Sequence, residues 1–136
     1  MQQKMTFQPK ALALAEQEMK GTIPIAQLPR LKTALTGDDG EIRFTIAGRK
    51  NGDRLVVDLL MGGEVTLRCD RCLDTFNLPL RHSGCFWVVD DAVKADEEDL
   101  EHDYLAAEDV IDVWGWLEDE AILSLPFAAF HPECAA

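Results

Sequence analysis

Between Glu41 and Leu80 the chain alternates apolar and polar residues. Ile42, Phe44 and Ile46 are separated by Arg43 and Thr45, and Leu55, Val57 and Leu59 by Val56 and Asp58. Val65, Leu67 and Cys69 then alternate with Thr66 and Arg68, and Phe76, Leu78 and Leu80 with Asn77 and Pro79. A period of two sends successive side chains to opposite sides of a strand, so these segments predict four half-buried strands. Asn51-Gly52, Gly62-Gly63 and Cys69-Asp70-Arg71-Cys72 lie between them and predict the turns of an antiparallel meander with one apolar face. Pro79 has no N–H to give a ladder, which assigns its strand to an edge or a bulge. Cys85–Val89 extends that strand beyond an expected kink at Gly84.

The pattern changes outside the meander. Pro9 to Lys20 predicts a short helix, with proline in its first turn and Gly21 closing it. Thr22–Ile25 reads as extended, and a second helix is expected from about Ala26 to Leu35, provided Pro29 falls in its first turn. Near the other end, Trp114, Leu117, Ala121 and Leu125 recur at three- and four-residue steps, predicting an amphipathic helix over Ile111–Leu125 that Pro126 stops. Between them, Asp90–Asp109 holds 10 acidic residues and 1 lysine. Such a segment buries little and repels itself, so a mobile acidic loop is expected, with an acidic recognition element as the alternative.

The expected fold class is α+β: an antiparallel meander of about four to five strands packed against N-terminal helices and one C-terminal helix. The 136 residues suit one domain, with a helical part over 1–40, the meander over 41–89, the acidic loop over 90–110 and the helix with its HPEC segment over 111–136.

Charge divides the chain. Residues 1–81 carry 12 basic and 10 acidic side chains, whereas residues 82–136 carry 1 basic and 15 acidic, within a net charge of −12. A phosphate-binding surface needs Lys and Arg, so any nucleic-acid face belongs to the first part. Arg49, Lys50 and Arg54 cluster around one hairpin, with Arg68, Arg71 and Arg81 on or beside neighbouring strands. These six are the RNA-binding candidates; soluble strand edges carry such residues too. The acidic part, residues 90–109 above all, suits docking on a basic protein, or simple solubility.

No apolar run is long enough for a membrane helix, and Ala11–Ala15 is too short for the apolar core of a secretory signal, so a cytoplasmic location is expected. Thiols stay reduced there, which turns attention to the CxxC of Cys69 and Cys72. Two thiols on a tight turn supply half of a tetrahedral zinc site, and the sequence holds two HxxC pairs that could complete it. His82 and Cys85 lie three apart in an expected strand and so on opposite faces. His131 and Cys134 lie in a proline-containing loop, which makes Cys69, Cys72, His131 and Cys134 the better tetrad. Two other readings stand beside it. Cys69 shares parity with Val65 and Leu67 and suits a small buried hydrophobe. A redox dithiol would sit at a helix N-terminus, and here strands flank the motif.

No catalytic constellation is evident: there is no Gly-rich phosphate loop and no GxSxG. Glu118, Asp119 and Glu120 could serve a metal-dependent hydrolase, but on an amphipathic helix such carboxylates are usually a solvated face. Trp114 is expected in the core. Trp87 has outward parity and could stack on a base, with packing under the C-terminal helix the commoner outcome.

Cys69-x-Arg71-Cys72-Leu73, Ile111-Asp112, Glu118-Asp119-Glu120-x-Ile122-Leu123-x-Leu125-Pro126 and the late His/Cys pair together resemble the bacterial YceD family, the large ribosomal RNA subunit accumulation proteins. Gly21-x-Ile23-Pro24 and Leu28-Pro29-Arg30-Leu31 look similar as well. The resemblance implies a role in synthesis, processing or stability of 23S ribosomal RNA without enzymatic activity. It also implies metal- or nucleic-acid-binding character, and a pre-ribosomal particle or large-subunit RNA as partner. Family members commonly carry a longer tail; no cysteine follows Cys134 here, which leaves His131 as the fourth zinc donor. A protein-only adaptor, binding a basic ribosomal or RNA-processing protein through its acidic loop, is the alternative function.

Overall fold

The computed structural model describes residues 5–91 and 102–126. Five strands form one open sheet in the order β2-β3-β4-β5-β6, where β2 is Glu18–Pro24, β3 Glu41–Asn51, β4 Arg54–Arg68, β5 Thr75–Val89 and β6 Asp103–Ala106. The first three pairings are antiparallel and the last is parallel. A second, two-stranded pairing joins β1 (Thr6–Phe7) to β7 (Ile111–Asp112). The helices described are α1 (Pro9–Leu14), α2 (Pro29–Ala34) and α3 (Val113–Ser124), with a 3-10 turn over Ile25–Gln27. The α+β meander expected from the alternation is therefore present.

The core lies on one side of the sheet. Ile42, Phe44 and Ile46 of β3, Val57, Leu59, Met61, Val65 and Leu67 of β4, and Leu80 and Phe86 of β5 all point into it. Leu12, Leu31, Leu117 and Ala121 meet them from the three helices. Trp116 of α3 packs edge-on against Phe86 (centroids 5.1 Å apart) and tilted against Phe7 (5.4 Å). Each large aliphatic side chain so buried contributes about 1.5–3 kcal/mol. The helices thus cover one face of the sheet; no described helix covers the other, where Val56 alone of the described strand residues is buried, beside Trp87.

Several boundaries differ from those expected. The first helix ends at Leu14, because the chain turns through Glu16, whose φ is +50°, to begin β2. The second helix starts only at Pro29, the first-turn position that proline tolerates. The N-terminal end of the C-terminal helix is also shorter: Ile111–Asp112 pairs with β1. Gly62-Gly63 does not turn the chain. Strand β4 runs straight through it, with Gly63 opposite Ile42 and Gly62 between Arg43 and Arg81. At Gly63 a Cβ would lie 2.6 Å from the Glu41 carbonyl oxygen, so glycine permits a close strand approach. The expected kink at Gly84 is absent too, since β5 keeps its register from Thr75 to Val89.

Other expectations hold. Gly52 has φ +65° at the first loop position between the paired Asn51 and Arg54, as a primed hairpin turn requires. Pro79 lies where β5 is the sheet edge, because β6 pairs only with Phe86–Val89. Of the acidic stretch expected as a loop, Asp103–Ala106 is strand β6, and residues 92–101 lie outside the described residues.

Candidate nucleic-acid interface and cysteine turn

Cys69 and Cys72 sit in the turn joining β4 to β5. The Cys69 N–H donates to the Asp74 carbonyl (2.8 Å) and the Leu73 N–H to the Cys69 carbonyl (2.9 Å), while Leu73 takes a left-handed φ of +66°. Cys69 is fully buried and Cys72 half-buried. Two thiols from one tight turn fit half of a tetrahedral donor set. His131 and Cys134, expected to complete it, lie outside the described residues. Among the described residues no group of three or more His, Cys, Asp or Glu side chains is arranged to hold a metal ion. The other HxxC pair splits as parity requires: His82 faces the core side and Cys85 the open side.

The expected arginines distribute over three places. Arg49, Lys50 and Arg54 flank the β3–β4 hairpin, and all three are exposed. Arg49 is held by Asp58 on the next strand (Nε to Oδ2, 2.5 Å) and reaches the Cys85 sulfur at 3.8 Å. Arg54 lays its guanidinium over the Trp87 ring, 3.7 Å from the centroid. Arg71 is exposed in the cysteine turn, and Arg68 ends β4 beside it. Arg81 stands on the open face of β5.

Register adds a residue that the sequence reading passed over. Arg43 is opposite Gly62, and Gly62 is opposite Arg81, so one row across the sheet reads Thr22, Arg43, Gly62, Arg81. The next row reads Lys20, Thr45, Leu60, Ser83. Arg43 was legible as outward-facing, since it alternates with Ile42 and Phe44; its neighbours were not legible without the register.

Trp87 does not lie beneath α3. Its outward parity puts it on the open face, where His102 stacks on it (centroids 3.9 Å apart) and Tyr104 meets it edge-on at 5.9 Å. Burial, then the charge of Asp58, pushes the Cys85 thiol up, with the Arg49 cation opposing.

The three carboxylates of α3 are not one solvated face. Asp119 is exposed, but Glu118 is buried and Glu120 half-buried. Glu118 Oε2 accepts from the backbone N–H groups of Arg30 (2.7 Å) and Leu31 (3.1 Å), and Oε1 accepts from Arg30 Nε at 3.0 Å. Leu28, at the N-cap of α2, has no side-chain acceptor, so Glu118 supplies the cap from another helix. Arg30 also donates to Asp119. Glu120 lies 3.8 Å from His82 Nε2, and burial first, then Asp103, raises its pKa.

These features describe a small α+β protein with an open, mostly antiparallel sheet, helices on one face, and on the other a mixed-charge surface where Arg43, Arg68 and Arg81 stand among Glu41, Asp58 and Glu64. The chain belongs to the YceD family: the family model described as large ribosomal RNA subunit accumulation protein YceD matches residues 57–136. That stretch holds β4 from Val57 onward, the cysteine turn, β5, β6, β7 and α3, hence the CxRCL and EDE motifs. No curated protein and no solved structure matches the chain. No helix among the described residues is long and apolar enough to cross a membrane.

Proposed function

We propose that the protein is a non-enzymatic, cytoplasmic factor that supports synthesis, processing or stability of 23S ribosomal RNA by contacting RNA with the open side of its sheet. The observation that carries this reading is the sheet face that the described elements leave uncovered, bearing Arg43, Arg68 and Arg81. Arginine suits sugar–phosphate recognition, because its planar fork of donors matches phosphate oxygens. The hairpin residues Arg49, Lys50 and Arg54 extend that surface, and Arg71 adds a cation at the cysteine turn. Family membership supplies the link to the large ribosomal subunit. In this reading Cys69, Cys72, His131 and Cys134 hold one structural zinc ion that ties the C-terminal segment to the β4–β5 turn. The ion would supply cross-linking, not chemistry.

Depleting the protein and comparing large- with small-subunit ribosomal RNA tests the assignment. A selective fall of the large-subunit RNA is expected; an unchanged ratio after verified depletion would remove it. A second reading, the protein-only adaptor, rests on the concentration of 15 acidic residues and 1 basic residue in 82–136. Recovery of ribosomal partners that persists after nuclease treatment favours the adaptor; recovery that collapses favours RNA contact.

A further inference from the structure

The glycines of the five-stranded sheet fall into two kinds. At Gly48 and Gly63 an added Cβ would meet backbone at 2.4 and 2.6 Å, and at Gly21 and Gly84 it would press on the Phe44 and Phe86 rings at 3.0 and 2.7 Å, so each is crowded. At Gly62 the nearest atom is the Leu80 carbonyl oxygen at 3.5 Å, an ordinary contact. Its φ is not left-handed, and its register with both neighbours is unbroken, so neither a turn nor a bulge requires glycine there. Glycine weakens a strand interior, and β-branched residues fit it better. Strand glycines often mark a bulge, a bend, a close backbone or the approach of a ligand, and at Gly62 the unbroken register and the ordinary contact leave the last of these.

What flanks Gly62 says what that is. Arg43 and Arg81 lie one strand away on either side, about 10 Å apart across two strand spacings. Both are exposed, and among the described residues neither has an ion-pair partner. Arg49 and Lys20, on the same face, are already held by Asp58 and Glu18. A shallow open depression of about 390 Å³ lies over the gap, lined by Arg43, Thr45, Leu60, Gly62 and Arg81. Leu60, 62% exposed, separates it from a second depression bordered by Thr45, Ser83 and Cys85. Two guanidinium groups beside a missing side chain suit a phosphate. Hydroxyls and an exposed leucine in the next row suit the ribose and base attached to it.

We propose that Arg43, Gly62 and Arg81 form a binding site for an RNA phosphodiester, with the adjoining nucleoside lying across Leu60. This deepens the RNA reading of the preceding section and rests on it. Gly62 is a specificity element for ligand approach, and it offers a substitution that separates folding from binding. Gly62→Thr adds a β-branched side chain at an uncrowded position, so it is expected to melt at the wild-type temperature or above it while blocking the gap.

The experiment is an electrophoretic shift of labelled, transcribed fragments tiled along 23S ribosomal RNA, read over a salt series with the full chain. Wild type, Gly62→Thr, the double variant Arg43→Gln/Arg81→Gln, and Lys32→Gln on α2 as a charge control away from the open face are compared, each with a thermal melt. The expected result is a loss of about tenfold or more for the double variant. Its log–log salt slope should be shallower by roughly 1 to 2. Gly62→Thr should lose affinity with an unchanged or higher melting temperature, and Lys32→Gln should stay close to wild type. Folded Gly62→Thr and double variants that bind RNA as wild type does would overturn the site and leave RNA contact by the protein intact. A wild-type chain that shifts no fragment would overturn both. Loss of an acidic protein partner in these variants, with no RNA shift, would reassign the arginine pair to carboxylates and overturn the phosphate site.

Discussion

Single side chains in this protein are set by what the neighbouring element presents to them. Glu120 is the clearest case: α3 carries it into the space beside His82 and Asp103, where water is scarce and one neighbour repels its charge. Its raised pKa means that the folded chain holds this proton more tightly than the unfolded chain does. The resulting stabilisation is fully present below the ordinary carboxylate range and is lost as pH rises through the raised folded value. Melting temperature should therefore climb as the buffer is taken from neutral toward that range. Glu120→Gln, which cannot ionise, should lack this climb and melt higher than wild type at neutral pH. A melt series of the two proteins across pH checks both. Cys85 shows the reverse of what exposure suggests. Burial and Asp58 hold it as a thiol, so alkylation at neutral pH should be slow and should accelerate in alkaline buffer, as mass spectrometry of the labelled peptide would reveal.

At the scale of elements, the short helix α2 depends on a residue far away in the chain. Six residues cannot sustain an isolated helix, and Leu28 offers its N-terminus no side-chain acceptor. Glu118, 88 positions from Arg30, gives that acceptor and also takes the Arg30 Nε. Glu118→Ala should cost about 2–3 kcal/mol, because a cap and a charge-assisted bond go together. That corresponds to a fall in Tm on the order of 10 °C. Arg30→Ala leaves both backbone bonds in place and should cost less. Thermal melts of the two variants rank the contributions, and equal losses would show that the guanidinium bond, not the cap, carries the effect. The sequence reading put all three α3 carboxylates in solvent, since helical periodicity says which face a residue is on but not which helix end will need a partner. It did require Pro29 to fall in the first turn of that helix, because proline carries that constraint by itself, and α2 begins there.

For the whole molecule, the division of the sheet into a covered and an open face organises everything else. The covered face holds the core; the open face holds Arg43, Arg68, Arg81 and the Arg54–Trp87–His102 stack. Zinc, bound as proposed, would act at this scale by joining the β4–β5 turn to the segment that holds His131 and Cys134. Protein purified without a histidine tag should carry one equivalent, and Cys72→Ser should lose both the metal and part of the stability. Metal analysis with a parallel melt reads both; a metal-free wild type would leave Cys69 as a buried thiol and withdraw the cross-link.

The sequence by itself determined the extended segments between Glu41 and Leu80, the Gly52 hairpin turn, the restriction of Pro79 to an edge or a bulge and the opposite facing of His82 and Cys85. Each follows from a period of two or from the backbone limits of one residue, and such properties need no partner. It also determined the family, through motifs of fixed spacing. Only the tertiary structure decided that β4 continues through Gly62-Gly63, that β6 joins β5 in parallel, that Glu118 caps α2 and that Arg43 and Arg81 share a row. All four are pairings between distant segments. The alternation within one strand is compatible with several registers, and the contacts made by both strands together select one of them.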